Sequence, residues 1–177
     1  PINSNDDFLN KILASSGGKH WRTNEVSTEG NSGQWHQVAL EMGGVLDRVN
    51  YEMYVDLSLS IEEIRSHIRK SFRPLVSSGL KKWNIGILDD SCETTWNNFR
   101  ELHRNTAGRI TRSSETWDIQ YENIRSGDAF LVYVSGDDGL MVGGGYFDMS
   151  NYESRYSVGS YDKELFDQPL GHMIQYQ

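Results

Sequence analysis

AFLVYVSGDDGLMVGGGYFDM, residues 129–149, decides the fold. Ala129–Val134 (AFLVYV) is short and apolar at every position, the pattern of a central strand covered on both faces. Gly136-Asp137-Asp138-Gly139 is turn chemistry. Leu140–Met149 (LMVGGGYFDM) then predicts the return strand of an antiparallel hairpin. Downstream, Arg155–Tyr161 (RYSVGSY) predicts a third strand. Pro169 suits the first turn of a helix through Leu170, Met173 and Ile174. That helix meets Gln177 about two turns in, so the C-terminus is expected to be incomplete.

Upstream, Tyr51–Leu59 (YEMYVDLSL) alternates strictly, which predicts a half-buried strand. Ser60 and Glu63 have the spacing of a capping box, in which each side chain satisfies a free backbone N–H at a helix start. Ile61, Ile64, Ile68 and Phe72 continue as one apolar stripe, with Arg65, Arg69 and Arg73 on another face. Pro74 is expected to end or kink this helix, and Gly79 to offer a left-handed stop. Trp83–Leu88 (WNIGIL) reads as the next strand. Asp90 and Glu93 repeat the capping-box spacing before a helix bearing Trp96, Phe99 and Leu102. A polar break over 103–113 separates it from a helix with Trp117, Tyr121 and Ile124, which runs to Gly127. Residues 1–50 read as an irregular N-terminal segment, with one short amphipathic helix suggested by Phe8, Leu9, Ile12 and Leu13. The order of elements is a mixed α/β arrangement with a mostly antiparallel sheet, not a doubly wound parallel one.

The chain has 177 residues, of which 37% are hydrophobic and 11% aromatic, enough for one core. No apolar run reaches the ~20 residues of a membrane helix, and the first 30 residues lack the pattern of a signal peptide. A single cysteine, Cys92, cannot form an intrachain disulfide, so a reducing, cytoplasmic location is expected. The net charge is −8, against a generic nucleic-acid coat. It is unevenly spread. Residues 61–125 hold 11 Lys/Arg against 9 Asp/Glu, net +2, and the remainder is −10. The middle third can face an anionic ligand, or be an ordinary solvated surface.

None of the five histidines has metal-ligand spacing, and no zinc or other metal site is expected. There is no G-x-S-x-G elbow and no phosphate-binding glycine loop. Cys92 lies beside Asp90 and Glu93, which should raise its thiol pKa and make it a bystander. Gly143-Gly144-Gly145 inside a strand marks either a bulge or kink, or a place where a ligand must approach the backbone closely. Arg65, Arg69, Lys70 and Arg73, then Arg100, Arg104, Arg109 and Arg112, lie on elements that can converge. Arginine's planar fork suits phosphate or carboxylate.

Residues 56–82 (DLSLSIEEIRSHIRKSFRPLVSSGLKK), with the core Arg69-Lys70-Ser71-Phe72-Arg73, resemble a stretch of FemABX-type acyltransferases. Residues 97–125 (NNFRELHRNTAGRITRSSETWDIQYENIR) are similar to the helix pair of the same proteins, and residues 128–177 to their Gcn5-related N-acetyltransferase (GNAT) core. The resemblance spans roughly residues 51–177 and implies a GNAT-like fold, with a mostly antiparallel sheet flanked by helices. It further implies transfer of an acyl or aminoacyl group from an activated donor, aminoacyl-tRNA or acyl-CoA, to an amine or hydroxyl. The acceptor would be a small molecule or a cell-wall precursor. Ser150-Asn151-Tyr152-Glu153 stands where acyl-CoA-using relatives carry a pyrophosphate loop, which weakens the coenzyme A reading.

Acyl transfer needs an amine held near an activated carbonyl and donors for the oxyanion. Under the resemblance, the carbonyl would lie along Gly143–Gly145, where backbone N–H groups reach it. Tyr156 or Tyr133 would donate to the oxyanion or move a proton, and His172 would act as base. Lys70, Arg73, Arg109 and Arg112 would bind phosphates of the donor. The competing readings are a sugar- or peptide-binding module using Trp21, Trp35 and Trp83, and an RNA-binding surface built on the middle-third arginines.

Overall fold

The computed structural model describes residues 11, 14, 34–41, 43–48, 53–151 and 153–176. The chain divides into two compact units, Pro1–Val55 and Asp56–Gln177.

In the first unit, Gln34–Glu41 forms a helix, α1, in a segment expected to be irregular. Gly43, at φ +86°, ends it in the left-handed region. The Gly43 and Gly44 amides return to the carbonyls of Leu40 and Ala39, so orphan carbonyls at the helix end are satisfied. Lys11 and Ala14 are helical, but Phe8, Leu9, Ile12 and Leu13 lie outside the described residues.

The strand expected over 51–59 is not formed among its described residues. Residues 53–56 join no sheet, and 57–58 make a turn. The Asp56 carboxylate accepts from the backbone N–H of Ser58 at 2.9 Å and from its hydroxyl at 2.7 Å. These local bonds favour a turn over a ladder. Met53, Val55 and Leu57 are exposed.

Ser60 and Glu63 do form the capping box, at the start of α2 (Ile61–His67). The helix stops five residues short of Phe72. Ile68 is extended, and the Arg73 guanidinium donates to the carbonyl of Ile68 at 3.0 Å and to that of Ser66. Pro74 opens a new helix, α3 (Arg73–Lys82), where its missing N–H costs nothing. Gly79 is no stop. It is buried inside α3, where a Cβ would lie 2.9 Å from the Pro169 carbonyl oxygen and 3.0 Å from the Met173 sulfur.

The sheet has the order β1 (Asn84–Leu88), β2 (Ala129–Ser135), β3 (Met141–Met149), β4 (Ser154–Tyr161), with every pair antiparallel. Between β1 and β2 the chain forms α4 (Glu93–Ala107) and α5 (Ser114–Ser126). The second expected capping box is absent. Cys92 takes the N-cap position without a side-chain cap, and Asp90 accepts from the Cys92 amide instead. After β4 come a short 3-10 turn and α6 (Leu170–Ile174).

The apolar run of β2 is explained by its central place. Ala129 and Leu131 face α4 and α5, in a core with Trp96, Phe99, Trp117, Ile124, Tyr146 and Val158. Val132 and Val134 face the other way, against Leu170, Met173 and Ile174 of α6, on which α3 packs. The second unit is thus α/β, an antiparallel sheet with helices on both faces, in accord with the GNAT-like class expected. Among the described residues no helix is long and apolar enough to cross a membrane.

Candidate functional site

Two local signals shape a cleft that gathers arginines. Gly108, at φ +66°, ends α4 with its N–H on the Arg104 carbonyl. Five residues later Ser113 caps α5, its hydroxyl accepting from the Thr116 amide at 3.2 Å. The connection between them carries Arg109 and Arg112 back beside the last turns of α4. Together with Arg100, His103, Arg104 and Trp117 they line a cleft of about 340 Å³.

Arg112 is held from two sides. Its Nη1 lies 2.8 Å from His103 Nε2, and its guanidinium carbon lies 5.5 Å from the Trp117 ring centroid. A guanidinium only donates, so Nε2 accepts, and the imidazole is neutral with its proton on Nδ1. The Trp117 face favours the cation. His103 stands edge-on to the same indole, centroids 5.1 Å apart, and Trp117 itself is only 7% exposed. Burial, then the Arg112 charge, lowers the His103 pKa below the ordinary imidazole value.

Arg100 reaches Asp118 at 3.5 Å, and Arg104 reaches Glu101 at 3.3 Å. Both acids are largely exposed, so these pairs are weak and easily exchanged. Arg109 is exposed and makes no ion pair with a described residue. Arg112 has a neutral partner. Two guanidinium charges therefore stay uncompensated, and an anion is the natural complement.

Of the four cations expected at a donor site, the structure brings together Arg109 and Arg112 only. Arg73 is spent on the carbonyls of Ile68 and Ser66, and Lys70 is exposed in the turn before it. Both belong to the α2–α3 junction, and α3 packs on α6, across the sheet from α4 and α5.

The glycines do not form an open edge. Gly143, Gly144 and Gly145 are buried in β3, paired with Val134, Tyr133 and Val132 on one side and with Tyr161, Ser160 and Gly159 on the other. Both edges are taken up by ladders. The space of the missing side chains is filled by Phe99 at Gly144, by Ile174 and Tyr156 at Gly145, and by Tyr161 at Gly143. A carbonyl cannot lie along this strand, and these glycines serve packing. Two register shifts flank them, at Val134/Ser135 and Tyr146/Phe147.

Each of the three expected catalytic side chains has a partner of its own. The Tyr133 ring lies across Gly86, its ladder partner on β1. The Tyr156 hydroxyl is 2.8 Å from that of Tyr161, and burial raises the pKa of both. His172 is half-buried on α6, its ring centroid 4.6 Å from that of Phe72. Cys92 is exposed, and its thiol pKa is lowered, not raised. The Thr95 hydroxyl, 3.2 Å from the sulfur, outweighs the opposing charge of Asp90.

Among the described residues no group of three His, Cys, Asp or Glu side chains is placed to hold a metal. Trp83 is half-buried with Lys82 Nζ 4.6 Å from its ring centroid, Trp21 lies outside the described residues, and so does the side chain of Trp35. His103 and Trp117 were not singled out as site residues by sequence. The signal was the His103-Arg104 pair ahead of Gly108, since a left-handed glycine there folds Arg112 back onto the helix it has just left. No protein-family model matches this chain, and no curated protein matches it.

Proposed function

We propose that this chain recognises a phosphate-bearing molecule in the α4–α5 cleft, and that this molecule is the activated donor of an acyl or aminoacyl transfer to an amine or hydroxyl. The observation that carries the binding half is the pair of uncompensated guanidiniums, Arg109 and Arg112, in one cleft, with Arg112 braced by His103 and Trp117. Preorganised arginine forks bind phosphate oxygens with charge-assisted hydrogen bonds. The transfer half rests on the FemABX-type resemblance of residues 51–177, whose donors, aminoacyl-tRNA and acyl-CoA, both carry phosphates. The α/β architecture with its antiparallel sheet is in keeping with it.

Within this reading Arg112 is the anchor. Arg109 closes on the anion from the solvent side, and the hydroxyls of Thr111 and Ser114, which also line the cleft, donate to remaining oxygens. The acyl carbonyl is not assigned to the glycine strand.

The test is titration of pyrophosphate and of coenzyme A into the protein by calorimetry, at two salt concentrations. Arg112→Ala is expected to weaken binding roughly tenfold to a hundredfold, the worth of charge-assisted hydrogen bonds. Arg109→Ala should lower the salt dependence. Binding that is unchanged in both variants removes the cleft from the donor site.

A further inference from the structure

Resting on the reading of the cleft as a phosphate site, we infer that it takes its ligand as a dianion together with a proton gained by His103, and so prefers a phosphate dianion to a carboxylate.

In the free protein, His103 Nε2 accepts from Arg112 at 2.8 Å. It can do so only while the imidazole is neutral. An anion entering the cleft competes for the same guanidinium, because Arg112 has no carboxylate partner to give up. Once the fork turns to the anion, Nε2 loses its donor. It then stands beside a negative group, half-buried, with the indole of Trp117 at its flank. A proton on Nε2 repairs both deficits. It restores a hydrogen bond, now from Nε2–H to an anion oxygen, and it places a positive charge against a negative one. The proton comes from solvent, and no bond other than N–H is made.

The charges around His103 are few. From α4 come Arg100, Glu101 and Arg104, from the connection Arg109 and Arg112, and from α5 Asp118, which reaches the cleft through Arg100. Burial first, and then the Arg112 charge, oppose protonation in the free state. A dianion cancels Arg112 and Arg109 together. A carboxylate has two oxygens and one charge. It cancels only one of those two guanidiniums, and the charge left over opposes a proton on Nε2.

The sign follows from this. The free-state pKa lies below the ordinary imidazole value, and the ligand raises it. Between the free and bound values, affinity falls as pH rises, at up to about tenfold per pH unit. Below the free value and above the bound value it is flat.

Sulfate is the probe, since it keeps both charges throughout the working range, whereas phosphate titrates. Its affinity is measured by calorimetry from about pH 5.5 to about pH 8.5, and in two buffers of different ionisation enthalpy. The expected result is an affinity that declines with pH, a heat that reports up to one proton taken up per sulfate, and acetate binding at least about tenfold weaker. His103→Gln, which keeps a hydrogen-bonding side chain, should bind sulfate more weakly and with a flat pH profile. Sulfate binding that needs Arg112 but shows no pH slope and no buffer-dependent heat overturns the proton uptake and leaves the phosphate site standing. So does a His103→Gln variant with the wild-type slope. Failure of sulfate and pyrophosphate to bind at any pH, or binding indifferent to Arg112→Ala, removes the site and this inference with it.

Discussion

Gly144 and Phe99 share one volume. A Cβ on Gly144 would lie 2.7 Å from the Phe99 ring, with Leu131 closing the other side at 3.5 Å. Phe99 is fully buried, so its ring has nowhere to retreat. Gly144→Ala should therefore destabilise the second unit by about 1 to 3 kcal/mol, the usual cost of overpacking. A urea unfolding midpoint measures it. Phe99→Leu placed in the Gly144→Ala background should recover part of the loss, and strictly additive effects would show that the two sites do not touch.

Gly79 inverts a familiar rule. In an exposed helix interior, Gly→Ala gains up to about 1 kcal/mol. Here the new methyl group would meet the backbone oxygen of Pro169 at 2.9 Å, and backbone cannot swing aside as a side-chain end does. Gly79→Ala is expected to lower the melting temperature and to speed hydrogen exchange at Met173 and Ile174, as α3 and α6 are pushed apart. A stabilised variant would mean that the two helices slide freely.

These two glycines show which parts of the fold the sequence could disclose. Ala129–Val134 was readable because its composition reports burial on both faces at once. The Ser60–Glu63 box was readable because all its partners lie within one turn. Residues 51–59 misled because alternation records which side chains would share a face, not whether a neighbouring strand is there, and Asp56 found a nearer partner in Ser58. Gly143–Gly145 were ambiguous for a similar reason. What occupies their space comes from Phe99, Tyr156 and Ile174, far along the chain in either direction. In the cleft, Arg109 and Arg112 were visible as cations in a polar connection. Their separation from Lys70 and Arg73 was not, since it depends on which face of the sheet each helix covers.

Stability should carry the signature of His103. Burial and Arg112 lower its folded-state pKa, so the unfolded chain binds the proton more readily. Its contribution is fully present above the unfolded value of 6.5 and is lost as pH falls through the depressed folded value. Unfolding free energy measured without added anion should drop across that window, and His103→Gln should flatten this part of the profile. Addition of sulfate at the acidic end should restore stability to the wild type more than to the variant, through preferential binding to the folded state.

Arg73 and Arg112 looked alike as candidate phosphate ligands, and the structure gives them different work. Arg73 donates from Nε to the Ile68 carbonyl at 3.0 Å and from Nη2 to that of Ser66, satisfying the end of α2 where the helix breaks. Arg112 donates to a neutral imidazole and keeps its charge available. Arg73→Ala should cost about 1.5 kcal/mol of stability, with faster hydrogen exchange through α2, and leave pyrophosphate affinity unchanged. Arg112→Ala should instead weaken pyrophosphate binding by removing the anchor for the anion, and leave hydrogen exchange through α2 unchanged. Parallel calorimetry and urea titration of the two variants separate the roles. Loss of pyrophosphate binding in Arg73→Ala at full stability would return that residue to the ligand site and join the two sides of the sheet in one function.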